Sequence, residues 1–246
     1  MAAPLRGFRL RRPGSAQKFG AAAGSLRGLL RKGCRLLQVR AGVQGSGIAV
    51  PWVSVPCLES RFKNKSSYMR YSCESRIRSY MKEVSNFISN VHPTARDAYK
   101  RILDLMSDKL KSVKYNGSYF DRTEEEAAVR LCTKEGWFSC QGPFDRDDCP
   151  CKHSINPYTN RESRILFSTW NLDHIIEKKR SVVPELAEAV KTRDGREVNW
   201  EYFYQLLFTV NNLKLVHIAC HKKTNHNLSC DKTKIYRKRK QSHEIS

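Results

Sequence analysis

The sequence predicts an α+β protein on three observations. Apolar residues recur at spacings of three and four from about Ser67 to Val113, which indicates two amphipathic helices. After Asn116-Gly117 the apolar segments become short and strand-like, and helical patterns return after Pro184. The sequence of 246 residues is 40% hydrophobic, which is enough for at least one core.

Composition divides the chain into three regions. Residues 1–57 contain no Asp or Glu and mix Arg and Lys with Ala, Gly and Ser, so we expect a poorly folded region that ends in a linker. Residues 58–115 form a helical segment, with a first helix from about Ser67 to His92 and a second capped by Thr94. Residues 116–246 form the domain that carries the chemistry and include a basic C-terminal tail.

The elements of that domain follow from local pattern. We expect strands at "GSYFDR", "GWFSC" and "RILFSTW", the last leading into Asp173. Pro184 opens a short helix through "ELAEAVK", "NWEYFYQLLF" is helical, and "NLKLVHIAC" is a strand.

The charge indicates a polyanionic partner. Lys and Arg number 45 against 24 Asp and Glu, for a net charge of +21, which favours nucleic acid or an anionic lipid surface. No apolar run approaches the roughly 18 residues of a membrane span, so we expect no membrane-spanning helix. On charge alone, a nucleic-acid binder without catalytic activity stays an alternative, and the basic N-terminus also fits a mitochondrial presequence.

Cysteine and histidine cluster in a way that predicts a metal site. Four of nine cysteines lie between 132 and 151, and without a secretory signal such a cluster favours metal over disulfides. Zinc takes four thiolate or imidazole ligands, normally from two segments. The candidate ligands are Cys140, Cys149, Cys151, His153, His217 and Cys220. Spacing offers more than four, and buried reduced cysteines are the alternative.

A second set of residues suits phosphodiester hydrolysis. Asp173 lies beside His174, and about fifty residues later a predicted strand leads to His221, Lys223 and His226. The set combines a hard metal ligand, a general base with a suitable pKa and a cation that neutralises phosphate charge.

The motifs around these residues carry a family resemblance. "LDHI" followed by "NLKLVHIACHKK" resembles the HNH, or ββα-metal, nucleases, in which paired strands carry Asp-His and a following helix carries a metal-ligating His. From Leu58 to about Tyr236, with "YMRYSCESRIRSYMKEVS", "RLCTKEGWFSCQGPFD" and "FSTWNLDHIIEKKR", the chain resembles the caspase-activated deoxyribonuclease family, the catalytic subunit of DNA fragmentation factor.

The resemblance implies roles for both sets of residues. A structural zinc ion would be held by Cys140, Cys149, His153 and Cys220, leaving out Cys151 and His217. Asp173 and His221 would hold magnesium, and His174 would face the attacking water as general base. Lys223 and His226 would stabilise the phosphate and the developing charge.

The resemblance also implies partners and location. Double-stranded DNA in chromatin is the substrate, cleaved during apoptosis, and the basic run "KTKIYRKRKQ" would add phosphate contacts and nuclear import, so we expect nucleus and cytoplasm. Family members bind an inhibitor-chaperone through a CIDE-N module, of which residues 8–39 resemble only the first strand and helix, and they dimerise through the helical region that follows that module. We therefore expect a truncated or alternatively spliced form, disordered over 1–57, whose dimerisation and inhibitor binding are open. The alternative is a catalytically defective DNA-binding form that competes with the full-length nuclease.

Overall fold

The computed structural model describes two N-terminal strands as backbone and then residues 62–127, 129–144, 146, 148–192, 195–221 and 228–237. Strand β1 (Arg6–Arg11) pairs antiparallel with β2 (Lys18–Ala23). The helix and linker that we expected in the rest of 1–57 lie outside the described residues, and disorder over that region stays a prediction.

Two helices follow, as the apolar spacing predicts. Helix α1 spans Lys65–Asn86 and begins with a capping box, in which the Asn64 side chain accepts a hydrogen bond from the Ser67 amide at 2.8 Å. A 3₁₀ turn, Phe87–Asn90, extends it. Helix α2 spans Arg96–Ser112.

The cap that we expected for α2 at Thr94 is wrong. The chain enters α2 through a 3₁₀ turn, Pro93–Ala95, and no side chain caps the first turn. The Thr94 hydroxyl instead lies 2.8 Å from Nδ1 of His92 and forms a hydrogen bond with that ring before the helix begins.

The segment after α2 is helical where we expected a strand. Lys114, Tyr115 and Asn116 have left-handed backbone angles, with φ between 49° and 52°, and the 3₁₀ segment Lys114–Phe120 contains most of "GSYFDR". Tyr119 and Phe120 are both buried, which a strand with one solvated face does not allow for neighbours.

A small sheet and a short helix precede the site. Strand β3 (Phe138–Ser139) pairs antiparallel with β4 (Ser154–Ile155), which confirms the strand expected at "GWFSC". Helix α3 spans Arg161–Phe167, so the strand expected at "RILFSTW" is wrong. Asn160 caps α3 by accepting from the Ser163 amide at 2.8 Å, and this polar start outweighs a short apolar run.

The central pair of strands positions the site. Strand β5 (Asn171–His174) runs antiparallel to β6 (Leu213–Val216), with His174 opposite Leu213. Between them the chain forms a π-helical turn (Lys178–Val182), α4 (Val183–Lys191) and α5 (Trp200–Phe208), where sequence pattern predicts both helices. The α+β class is confirmed.

One core joins these elements. Its largest fully buried side chains come from α1, α2, α4, α5, β5 and the aromatic residues around β3 and α3; they include Met69, Met106, Phe120, Phe138, Phe167, Leu172, Leu186, Phe203 and Phe208. Within the described residues, no helix has the length and apolar character that crossing a membrane requires.

Candidate metal centre and catalytic cleft

Four of the six candidate ligands converge. The ligand atoms of Cys140, Cys149, His153 and Cys220 all lie within 4.8 Å of one another. The Cys149 sulfur is 3.2 Å from Nδ1 of His153 and 3.6 Å from the Cys220 sulfur. The three cysteines are buried. Such a group of three thiols and one imidazole could hold a metal ion.

Backbone geometry brings the ligands together. The Cys140 amide donates to the His153 carbonyl at 2.9 Å, which continues the β3–β4 pairing, and Cys220 ends a turn in which its amide donates to the His217 carbonyl at 2.8 Å. Gly142 lets the loop fold back, because it has φ of +79° and a Cβ there would lie 1.9 Å from the Asp148 carbonyl oxygen.

The donor set fits zinc. Burial raises the pKa of the Cys149 thiol, but hydrogen bonds from the His153 backbone and from the Cys220 and Cys140 side chains outweigh it and lower that pKa to about 6. Burial and the neighbouring thiols raise the pKa of Cys220 to about 12. Thiols crowded in this way ionise together only beside a cation, and zinc prefers four tetrahedral thiolate and imidazole ligands.

The other two candidates lie outside this group. Cys151 is exposed. The His217 ring stacks on the His153 ring with centroids 4.2 Å apart, and its Nδ1 accepts from the Ala219 amide at 3.3 Å. His217 therefore supports a ligand by packing.

Asp173 and His221 meet from separate segments. Oδ2 of Asp173 lies 2.6 Å from Nε2 of His221, and Oδ1 accepts from the His174 amide at 2.7 Å. Both side chains are partly exposed, at 22% and 26%. Phe144 packs edge-on against the His221 ring. A carboxylate and an imidazole together at the surface suit a divalent cation whose other positions stay open.

His174 points into the protein. Its side chain is fully buried, and Nε2 donates to the Leu207 carbonyl at 2.9 Å. Since a carbonyl only accepts, Nε2 carries hydrogen and the neutral ring has its lone pair on Nδ1, 3.4 Å from Oδ1 of Asp173. Asp173 and His174 do differ in orientation. We expected the His174 ring to face the attacking water, but in this structure the ring is buried.

The end of α5 explains that orientation. The last carbonyls of a helix have no partner within it. Here Leu206 accepts from the Asn212 amide group at 2.8 Å and Phe208 accepts from Asn116 at 2.9 Å, on either side of the bond from His174. The three side chains cap α5 and tie β5, β6 and the 3₁₀ segment to it.

Asn212 is a site residue that sequence reasoning did not single out. It is buried, its Oδ1 accepts from the Ile176 amide at 2.7 Å, and its side-chain amide donates to the Ile176 carbonyl at 3.0 Å. It therefore fixes the chain just after His174. The available signal was an Asn as the first residue of a predicted strand.

Strand β6 connects the two groups. The Gln141 amide donates to the Leu215 carbonyl at 2.9 Å, and its side chain accepts from the Leu215 amide at 2.7 Å. Gln141 follows a cluster cysteine, and Leu215 lies opposite Leu172 of β5. The cluster and Asp173 thus have a common support.

Lys223 and His226 lie outside the described residues. The roles of Lys223 and His226 therefore stay predictions.

Comparison with known proteins identifies the family. A model of the DNA fragmentation factor 40 kDa family matches residues 51–237. DNA fragmentation factor subunit beta of Rattus norvegicus is 73% identical over 180 residues, covering 73% of this chain and 51% of that protein. The Homo sapiens protein of the same name is 65% identical over 187 residues, covering 76% and 54%. The chain spans about half the length of these relatives.

A solved structure agrees with the sequence relatives. The crystal structure of a caspase-activated DNase (CAD) is similar with a TM-score of 0.72 at 63% sequence identity, covering 87% of this chain and 86% of that one. The family resemblance seen in the sequence is confirmed. The chain belongs to the DNA fragmentation factor 40 kDa family.

Proposed function

We propose that this chain is a metal-dependent DNA endonuclease with an HNH-like active site, which hydrolyses phosphodiester bonds in chromatin during apoptotic DNA fragmentation. Family membership supports it, together with the name of the solved relative, a caspase-activated DNase. The observation that carries it is the pair of Asp173 and His221, with 2.6 Å between their side chains and His174 next along β5.

Asp173 and His221 would hold the magnesium ion. A carboxylate oxygen and an imidazole nitrogen are the two donors that the cleft presents together, and both are partly exposed. When bound, magnesium supplies charge neutralisation on the phosphate oxygens and on the leaving oxygen. Lys223 and His226 would add positive charge on the same phosphate.

His174 would act as general base through Nδ1. The Leu207 carbonyl holds hydrogen on Nε2, so Nδ1 is the nitrogen with a lone pair, and it lies on the side of Asp173. This role requires the Nδ1 edge to open toward the Asp173 pair when DNA binds, since the ring is buried without substrate. Catalytic contacts in free enzymes commonly tighten or rearrange on substrate binding.

The Cys–His cluster would bind a structural zinc ion through Cys140, Cys149, His153 and Cys220. It would keep β6 and the turn before His221 in place. The double-stranded DNA substrate would be held through a chain of net charge +21, without base-specific contacts. Binding of the inhibitor-chaperone through the CIDE-N-like region 8–39, dimerisation, and a nuclear and cytoplasmic location complete the proposal.

Plasmid nicking tests the proposal. The purified chain should convert supercoiled DNA to nicked and linear forms with magnesium, and His174→Asn should lower the rate by about a hundredfold or more, the effect of losing a general base. His92→Asn is the matched control, because His92 is exposed and distant in sequence from the site. Equal cleavage by wild type and His174→Asn would refute this active site. Salt-sensitive DNA binding without cleavage would favour the competing, non-catalytic form.

A further inference from the structure

Helix α1 presents three side chains to the edge of β5 that β6 does not pair with. They are Arg76, Tyr80 and Glu83, one turn apart from each other on one face of the helix. The Arg76 guanidinium donates to the Trp170 carbonyl at 2.6 Å, just before β5 begins. The Tyr80 hydroxyl donates to the Leu172 carbonyl, next to Asp173.

Lys178 reaches this face from the other side of the cleft. Its ammonium group lies 2.9 Å from Oε2 of Glu83 and 4.3 Å from the centroid of the Tyr80 ring. Only 9% of its side chain is exposed. Burial of a lysine has a free-energy cost, which the carboxylate and the ring face both offset here.

Tyr80 in turn contacts His174. The two ring centroids are 4.9 Å apart with planes at 68°, an edge-to-face contact. Burial raises the pKa of the Tyr80 hydroxyl, so this group keeps its hydrogen and donates to Leu172. One tyrosine therefore holds the backbone before Asp173 and one face of the His174 ring.

We propose that Tyr80 and Lys178 are positioning residues for His174. Lys178, held by Glu83, fixes the Tyr80 ring, and that ring keeps His174 in the orientation in which Nε2 donates to Leu207. Nδ1 then stays on the side of Asp173. The expected effect on DNA cleavage rests on the proposed function, whereas the effect on the ring of His174 does not.

The test pairs two adjacent lysines. Lys178→Met removes the buried charge, and Lys179→Met removes the same charge from a side chain that is 72% exposed and also faces Glu83, at 3.4 Å. Tyr80→Phe keeps the ring and removes the hydroxyl. Lys178→Arg keeps the charge above the ring.

Two measurements distinguish positioning from a general loss of charge. In plasmid cleavage, Lys178→Met should lower kcat by about tenfold to a hundredfold, the range for residues that orient a catalytic group. KM should change by less than about threefold. Lys179→Met should keep kcat within about twofold of wild type, and Lys178→Arg should recover part of the loss.

The second measurement does not depend on activity. In NMR spectra of protein labelled with ¹⁵N at histidine, wild type should give ring signals of His174 with hydrogen on Nε2 alone. Lys178→Met and Tyr80→Phe should each give signals averaged between the two neutral forms, in variants that still unfold cooperatively. Wild-type signals for His174 in both variants, or equal kcat in Lys178→Met and Lys179→Met, would overturn the inference. If wild type does not cleave DNA, the proposed function fails and the NMR result alone decides this inference.

Discussion

The Cys–His cluster and the Asp173 cleft both adjoin strand β6, yet different forces hold them. The cluster is built on strands of two residues each and on loops, including a left-handed Lys152 and Gly142. The cleft rests on β5 and β6, with α1 along one edge and the end of α5 beneath.

The difference shows what each site needs to keep its shape. At the cleft, Leu172 and Leu215 are buried and lie opposite each other in the two strands that carry Asp173 and its neighbours. Hydrophobic burial therefore positions Asp173 whether or not an ion is present. At the cluster the four candidate ligands join segments that share little regular structure, so there ion binding and the local fold would depend on each other.

Metal removal should give the largest effect and sharpen this contrast. A structural zinc site in a small domain couples on the order of 10 kcal/mol of binding free energy to folding. A strong chelator, or Cys140→Ser, should therefore remove about one zinc ion per chain and lower the thermal midpoint of the domain that contains the cluster steeply. Metal content by mass spectrometry and circular dichroism melting provide the measurements. Cys151→Ser is the control, because Cys151 is exposed and outside the cluster; the same loss in that variant would contradict the assignment.

Asp173→Asn should have the next largest effect, on cleavage and not on folding. An amide is a weaker ligand than a carboxylate and cannot carry charge, so plasmid cleavage should fall by about a hundredfold. The thermal midpoint should stay within a few degrees of wild type, because strand pairing and core contacts are unchanged. A large drop in melting temperature would mean that the cleft, like the cluster, depends on its ligands.

Asn212→Ala should give the smallest of the three effects. Leaving the Ile176 amide and the Leu206 carbonyl without their buried partner should lower the free energy of unfolding by about 1–3 kcal/mol. Asn211→Ala is the matched control, because Asn211 is the exposed neighbour. Urea denaturation of both variants measures the difference; equal stability would show that Asn212 does not fix the chain behind His174.

The sequence predicted the helices best. The apolar stripes from Tyr80 through Leu110 have clear periodicity because α1 and α2 each bury one face, whereas the aromatic run of α5 is buried on nearly all sides. It failed at "RILFSTW", where Ile165 and Leu166 remain 41% and 46% exposed, so their apolar character does not report burial in a strand. It failed again at Thr94, where a side-chain oxygen has a nearer partner in His92.

The candidate site was predictable in its members and not in its geometry. The spacing around Cys140 left six possible ligands, and only the structure shows which side chains converge. The inward orientation of His174 depends on the Leu207 carbonyl, which lies far away in sequence at the end of a helix. No local pattern encodes which carbonyls a helix leaves open to distant donors.

The last carbonyls of α5 accept hydrogen bonds from Asn116, His174 and Asn212, and this restricts how the chain can vary in length. Adding one residue within α5 would turn its last carbonyls by about 100° and displace the partners of Asn116, His174 and Asn212 together. The chain at Gly195 has more room, because a Cβ there would meet nothing within 4 Å, although its φ of +76° favours glycine at that position. A peptide tag or a fluorescent reporter should therefore be tolerated at Gly195, while α5 must keep its present number of residues.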